Sequence, residues 1–238
     1  MQSYGEDLAY IHDAGFSYFA LTAAPGLLRL LRRNGVRDGF VVDLGCGSGR
    51  WARELNRAGY QVLGVDQSPA MIRLARKIAP DSLFQVAPLW NVELPRCDTI
   101  SSMGECLNYF SEANKLRRLF RRVFRALRSG GVFVCDFATT ERRPESESRQ
   151  FWEQGRDWAV MARSTGEDEP DLMRREITSF RKTGKLYRRS TEVHFLRLYA
   201  AAAIAADLAA CGFQARVLRG YGALRFPRGI AGVLAVKP

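Results

Sequence analysis

Val41-Val42-Asp43-Leu44-Gly45-Cys46-Gly47-Ser48-Gly49-Arg50 is the stretch that decides the fold. Residues 40–44 form a short apolar run of the kind that makes a buried strand. The run ends beside an acid and is followed by glycines at 45, 47 and 49, which let the chain turn sharply and present backbone N–H groups in place of side chains. Beyond the turn, Trp51, Ala52, Leu55 and Ala58 recur at helical spacing up to Gly59. A helix N-terminus, with its partial positive charge, therefore follows the glycines. Strand, glycine turn and helix in this order are the layout of a nucleotide-type site.

The spacing is tighter than the dinucleotide pattern Gly-x-Gly-x-x-Gly, whose third glycine would fall on Arg50. Asp43, two residues ahead of the first glycine, puts a carboxylate at the ligand end of the strand. A pyrophosphate would be repelled there, whereas a ligand carrying an ammonium or sulfonium would be attracted.

Composition bounds the alternatives. The chain has 238 residues, 47% hydrophobic and 26% charged, which suits one sizeable globular domain. It contains no run of about 18 apolar residues, so no membrane-spanning helix is expected. Glu6 and Asp7 come early, with no basic segment ahead of an apolar one, which argues against a secretory leader. The five cysteines (46, 97, 106, 135 and 211) stand singly and in odd number. This predicts a reducing, cytoplasmic setting and no structural zinc. With only His12 and His194 available, no metal site is expected. The net charge of +11 and a pI near 9.9 raise the question of nucleic acid. In the densest basic run, residues 115–128, apolar residues at 116, 119, 120, 123, 124 and 127 leave the arginines on the outer face of an amphipathic helix.

In chain order, an aromatic N-terminal segment (Tyr4, Tyr10, Phe16, Tyr18, Phe19) precedes a helix expected over 25–33 and stopped at Asn34-Gly35. The aromatic segment either closes as a lid over the glycine turn or packs against the sheet. Residues 60–66 read as strand two, ending at Asp66. A right-handed crossover brings this acid out beside the glycine turn, placed to accept hydrogen bonds from ribose hydroxyls. Ser68 is the expected N-cap of a helix with Pro69 in its first turn. Strands three, four and five are expected at 83–86, 99–103 and 132–137. Five strands alternating with helices call for a doubly wound parallel sheet.

The motifs taken together resemble the class I S-adenosylmethionine-dependent methyltransferases. Residues 41–50 are similar to that family's first motif and Val62-Leu63-Gly64-Val65-Asp66-Gln67-Ser68-Pro69-Ala70-Met71 to its second-strand motif. Residues 97–100 and 127–136 are similar to its fourth- and fifth-strand signatures. The resemblance implies an α/β fold with a mostly parallel, Rossmann-like seven-stranded sheet whose last strand inserts antiparallel beside strand five. It also implies S-adenosylmethionine as cofactor and S-adenosylhomocysteine as product. Asp43, Gly45 and Gly47 would hold the methionine part, Asp66 the ribose, and Gln67 and Met71 would flank the adenine. Many relatives have an acid after strand three; here the stretch is Val86-Ala87-Pro88-Leu89-Trp90, so backbone groups near Leu89 and stacking by Trp90 would take over adenine recognition. Tyr10 matches an N-terminal tyrosine near the methionine carboxylate, and Met103, at the end of strand four, completes the set.

The expected organisation is one domain: an N-terminal lid or helical segment (1–35), a cofactor-binding core (36–138), an antiparallel β cap insertion over the acceptor site (139–199) and a C-terminal unit (200–238) of a helix and two strands, 213–220 and 229–236. Within the insertion, 139–156 reads as a polar loop or short helix and 158–164, 172–182 and 185–199 as strands. Methyl transfer chiefly requires donor and acceptor to be aligned, although an amine or hydroxyl acceptor can use a base. Glu105, beyond strand four, is a candidate base or a cap of the next helix. His194 shares a strand face with Glu192 and either lines the acceptor pocket or packs the cap, and His12 is a further candidate. A small-molecule N- or O-methyltransferase is the favoured reading, because an enclosing cap suits a small acceptor. An RNA methyltransferase and a non-catalytic cofactor-binding protein are the alternatives, and oligomeric state is left open.

Overall fold

In the computed structural model, residues 4–144 and 148–238 are described. Part of the polar stretch expected after strand five, residues 145–147, lies outside them. Helices α1 (Glu6–Phe16) and α2 (Tyr18–Arg33) open the chain. The core then alternates β1 (Gly39–Leu44), α3 (Arg50–Arg57), β2 (Tyr60–Asp66), α4 (Pro69–Ile78), β3 (Leu83–Val86), β4 (Cys97–Ser102), α5 (Ala113–Ala126) and β5 (Leu127–Ala138). A short 3-10 turn, Cys106–Tyr109, links β4 to α5. The insertion supplies β6 (Arg149–Gln154), β7 (Trp158–Gly166), β8 (Leu172–Thr183) and β9 (Leu186–Arg197). The tail supplies α6 (Ala201–Ala210), β10 (Gln214–Leu218), β11 (Gly220–Tyr221), β12 (Leu224–Arg225) and β13 (Ile230–Val236).

The main sheet has seven strands in the order β10-β13-β5-β4-β1-β2-β3, parallel except for β13, which runs antiparallel between β5 and β10. Apolar side chains fill both faces. Leu116, Leu119, Phe120 and Val123 of α5 cover one face with α6, and Ala23, Leu27 and Leu31 of α2 cover the other with Trp51 and Leu55 of α3. The arginines of α5 stay outside as its periodicity predicts, and three basic residues of this run pair with carboxylates, Lys115 with Glu112 at 2.6 Å, Arg117 with Asp207 at 3.0 Å and Arg128 with Asp98 at 2.8 Å. Ser68 caps α4 by accepting from the Met71 N–H at 3.2 Å. Among the described residues, no single helix is long and apolar enough to cross a membrane.

Three local expectations fail. The helix expected from Pro25 starts at Tyr18, with Pro25 inside it. Proline there leaves the Leu21 carbonyl without its helical donor, but both residues are exposed and water can serve that carbonyl. Residues 149–154, expected in a polar loop or short helix, form β6, an exposed edge strand paired antiparallel with β7. The strand expected to run to Gly220 stops at Leu218, and Gly220–Tyr221 turns away to pair with Leu224–Arg225.

The small hairpin is a seat for α2. The fully buried Tyr221 donates its hydroxyl to Asp136 Oδ2 at 3.0 Å, while its backbone carbonyl lies against Gly26 so closely that a Cβ at position 26 would overlap it. Helix and hairpin can approach only because position 26 lacks a side chain. Gly26→Ala is expected to lower stability by about 1–3 kcal/mol, read as a reduced midpoint in thermal denaturation, despite alanine's better helix propensity.

Candidate active site

The C-terminal ends of β1, β2 and β4 meet at the glycine turn, where several polar groups are taken out of water. Asp43, at 3% relative exposure, accepts from the Ser101 hydroxyl at 2.7 Å, and Trp51 Nε1 donates to that same serine at 3.1 Å. Burial raises the Asp43 carboxyl to about 7, against the Ser101 hydrogen bond and with help from the charge of Asp66. Asp66 Oδ2 accepts the Gly47 N–H at 3.0 Å and Oδ1 the Ser68 N–H at 2.8 Å. Its carboxyl is also raised by burial, opposed by the N–H groups of Ser68, Gly47 and Gln67. A carboxylate has about four acceptor positions, so both acids keep lone pairs for a ligand.

The glycines serve different ends. A Cβ at Gly45 would overlap Cys106 Sγ, so that glycine admits the loop after β4. Gly47 has φ +52° and nothing within 4 Å of where a Cβ would stand, which leaves its backbone facing open space. This cradle, with the buried Asp43 and the half-buried Asp66 beside it, fits a ligand that brings a cation and hydroxyl groups.

Above the turn, α1 bridges to the cap. Asp13 accepts from Ser48 Oγ at 2.6 Å and from Arg50 at 2.8 Å on the glycine side. On the cap side Arg188 binds Asp7 at 2.5 Å, and Leu8 and Ile11 pack against Trp158, Val160 and Ile177. The N-terminal segment is thus both packed and placed over the turn.

The cap closes on a cluster at the end of β4. Glu105 has φ +64°, the one positive φ of a non-glycine among the described residues. Its N–H and that of Gly104 both donate to Asp136 Oδ1, at 3.1 and 2.8 Å, which holds the turn in this conformation. Asp136 is itself raised to about 7 by burial, opposed by those two N–H groups and by Tyr221. The Glu105 carboxylate faces Arg175 at 3.5 Å and Arg142 at 3.7 Å. It makes no hydrogen bond as a cap of the 3-10 turn that follows, so the capping role is not realised. His194 is sealed, with no accessible side-chain surface: Nδ1 meets the Tyr109 hydroxyl at 2.7 Å, Nε2 meets Glu192 at 3.1 Å, and the Tyr4 ring stands edge-on. His12 also packs edge-on with Tyr4, at 5.4 Å between ring centroids, and burial lowers its basicity.

The remaining sequence candidates are spread more widely. The Tyr10 hydroxyl donates to Asp157 at 3.1–3.2 Å and its ring lies under Arg181, so its side chain is engaged by the cap and not by the glycine turn. Met71 is buried against Ala9 and Ala70 between α1 and α4. Gln67 is half-buried beside Asp66, and Met103 and Leu89 are half-buried against the core. Trp90 is 41% exposed and its carbonyl accepts from Arg122 at 2.9 Å. Tyr4, Asp13, Tyr109, Asp136 and Arg175 escaped the sequence reading. Each acts through partners distant in sequence, and only the aromatic richness of the N-terminal segment pointed toward Tyr4.

The chain is similar to known methyltransferases in sequence and in fold. A family model described as a methyltransferase domain matches residues 41–131. The chain is 28% identical over 186 residues, 74% of each protein, to the "Putative methyltransferase YqeM" of Bacillus subtilis (strain 168). Among solved structures, an S-adenosylmethionine-dependent methyltransferase from Clostridium acetobutylicum ATCC 824 superposes with a TM-score of 0.84 at 20% identity, over 96% of this chain and 97% of that one. The sugar N-methyltransferase KedS8 from Streptoalloteichus sp ATCC 53650 superposes with a TM-score of 0.80 at 22% identity, over 100% and 96%.

An acid raised by burial destabilises the fold once pH exceeds its unfolded value. Between about 4 and 7 the folded protein holds a proton on Asp43 that the unfolded chain has lost, so this group's share of stability falls as pH rises through that window. Asp43→Asn, which can still accept from Ser101, is expected to raise the melting temperature of the ligand-free protein by roughly 3–8 °C at pH 8, with the gain vanishing near pH 4. Thermal melts across that range check it.

Proposed function

We propose that the chain is a class I S-adenosylmethionine-dependent methyltransferase and that it methylates an N or O atom of a small-molecule acceptor held beneath the antiparallel cap. The observation that carries this reading is the enclosure of the β4 end. Tyr4, Tyr109, Glu105, Arg175 and the buried His194 come from the N-terminal segment, the turn after β4 and two cap strands, and they converge within a few ångströms of one another. A folded RNA would need an open track of cations, whereas this arrangement is walled by the four-stranded cap and α1.

When bound, the cofactor supplies a methyl group on positive sulfur whose C–S bond breaks as the acceptor's N–C or O–C bond forms. The residues of this chain hold and orient. Asp43 and the Gly45–Gly47 turn would take the methionine part and Asp66 the ribose hydroxyls, with Gln67, Leu89 and Trp90 left as candidates for the adenine side. The ion pair of Glu105 with Arg175 and Arg142 is longer than the Arg50–Asp13 pair at 2.8 Å. Its donors and acceptors are therefore available to orient a polar acceptor. KedS8 acts on a sugar nitrogen by name, which makes amino sugars a reasonable first acceptor class.

Incubation with methyl-labelled S-adenosylmethionine and a panel of small amines, amino sugars and hydroxy compounds, alongside RNA, tests the proposal. Label is expected on a low-molecular-weight amine or hydroxyl. Label on RNA, with affinity falling steeply as salt rises, would contradict it. Cofactor binding without transfer to any acceptor would favour a binding protein.

A further inference from the structure

We propose that Tyr109 is the group that meets the acceptor's proton, and that His194 and Glu192 act through it as a buried relay. This rests on the reading of the cap-covered cluster as the acceptor site.

Placement comes first. Cys106 begins the 3-10 turn that ends at Tyr109, and its sulfur lies 3.6 Å from the Gly45 carbonyl and 2.9 Å from that of Met103. In a 3-10 helix residues i and i+3 eclipse, so Tyr109 stands one turn above the residue that touches the glycine turn. Accessibility separates the two candidates. Tyr109 is half-buried and presents part of its surface, whereas the His194 side chain presents none. An acceptor can reach the tyrosine but not the histidine, so His194 cannot be the group in direct contact with the acceptor.

The hydrogen bonds then fix the direction of proton flow. The Glu192 carboxylate is only an acceptor, so His194 must present Nε2–H to it at 3.1 Å. In the neutral imidazole, Nδ1 is therefore the lone-pair nitrogen, and it faces the Tyr109 hydroxyl at 2.7 Å. The Gly5 N–H holds the other Glu192 oxygen at 2.9 Å. Tyrosine, histidine and carboxylate thus form a chain in which each member orients the one before it.

The proton balance is simple. As the acceptor's new bond to carbon forms, its N–H or O–H proton passes to the Tyr109 oxygen while the proton already on Tyr109 passes to His194 Nδ1. The imidazolium so formed is stabilised by Glu192 and returns its proton to solvent by the same path after product leaves. Tyr109 never stands as a free phenolate, in keeping with burial, which pushes its ionisation well above the usual tyrosine range. The other ionisable groups around the relay are Tyr4 and His12 on the N-terminal side, Glu105 and Cys106 from the turn after β4, and Arg175 opposite His194 on β8.

Two measurements on the full chain test it. With only two histidines, nitrogen-15 NMR of the protein and of His12→Asn assigns His194 cleanly. The relay requires the Nε2–H tautomer near neutral pH, and a proton resident on Nδ1 would overturn it. Tyr109→Phe and His194→Gln are expected to lower kcat roughly 10²–10³-fold with S-adenosylmethionine affinity unchanged within about twofold. Glu192→Gln, whose amide can donate to Nε2, should populate the Nδ1–H tautomer in the same spectra and lower kcat with it, a readout that a packing role would not move. Tyr109→Phe within threefold of the parent kcat would also overturn the relay. Failure of the parent protein to methylate any acceptor would count against the small-acceptor reading alone, because the tautomer is read without turnover.

Discussion

The structure depends on two carboxylates held at adjacent strand ends, Asp43 buried and Asp66 half-buried. Each could be paid for by protonation or by donors, and the two take different routes. Asp66 receives the N–H groups of Gly47 and Ser68, so it ties the glycine turn to the start of α4. Asp43 has the Ser101 hydroxyl and is left near 7 by burial. A site kept in this state is unfavourable without a cation, and a cationic ligand removes much of the penalty. The parallel sheet is what brings the two acids side by side, with β1 and β2 in register from Gly39 and Tyr60 onward.

The four-stranded insertion and α1 stand together over the C-terminal ends of the central strands. Helix α1 is bonded to the glycine turn through Asp13 and to the cap through Asp7, and the Tyr4 carbonyl accepts from Ser68 Oγ at 2.6 Å. A single segment therefore reports on both halves of the site. The left-handed Glu105 is the corresponding constraint from below: Asp136 pins its backbone, and its carboxylate faces two arginines, Arg175 from the cap and Arg142 from the turn after β5.

Sequence and structure agree where the cause is local. The β1 run, the glycine turn, the Ser68 cap and the two-faced α5 all follow from neighbours a few residues apart, and the order of five strands followed from them. Pro25 misled because its cost depends on whether the Leu21 carbonyl faces water, which the helix's own periodicity does not state. The edge strand 149–154 misled because it is exposed on every residue and lacks a buried face to give it a pattern. At the site, the acids at 43 and 66 could be read from motif position. Tyr109, Tyr4 and Arg175 could not, because their roles arise from contacts across 70 to more than 180 residues of chain. His194 and Glu192 were legible as a same-face pair, but the tyrosine shielding them was not.

Asp43, buried and partly protonated near neutral pH, is poised to lose its proton when a cation binds beside it. Calorimetry of S-adenosylmethionine binding in buffers of different ionisation enthalpy measures the protons exchanged on binding. At pH 6, where Asp43 is largely protonated, the greater part of one proton is expected to be released per cofactor bound, declining above pH 7 and largely lost in Asp43→Asn. Binding with no proton release at pH 6, or with the same release in Asp43→Asn, would contradict it.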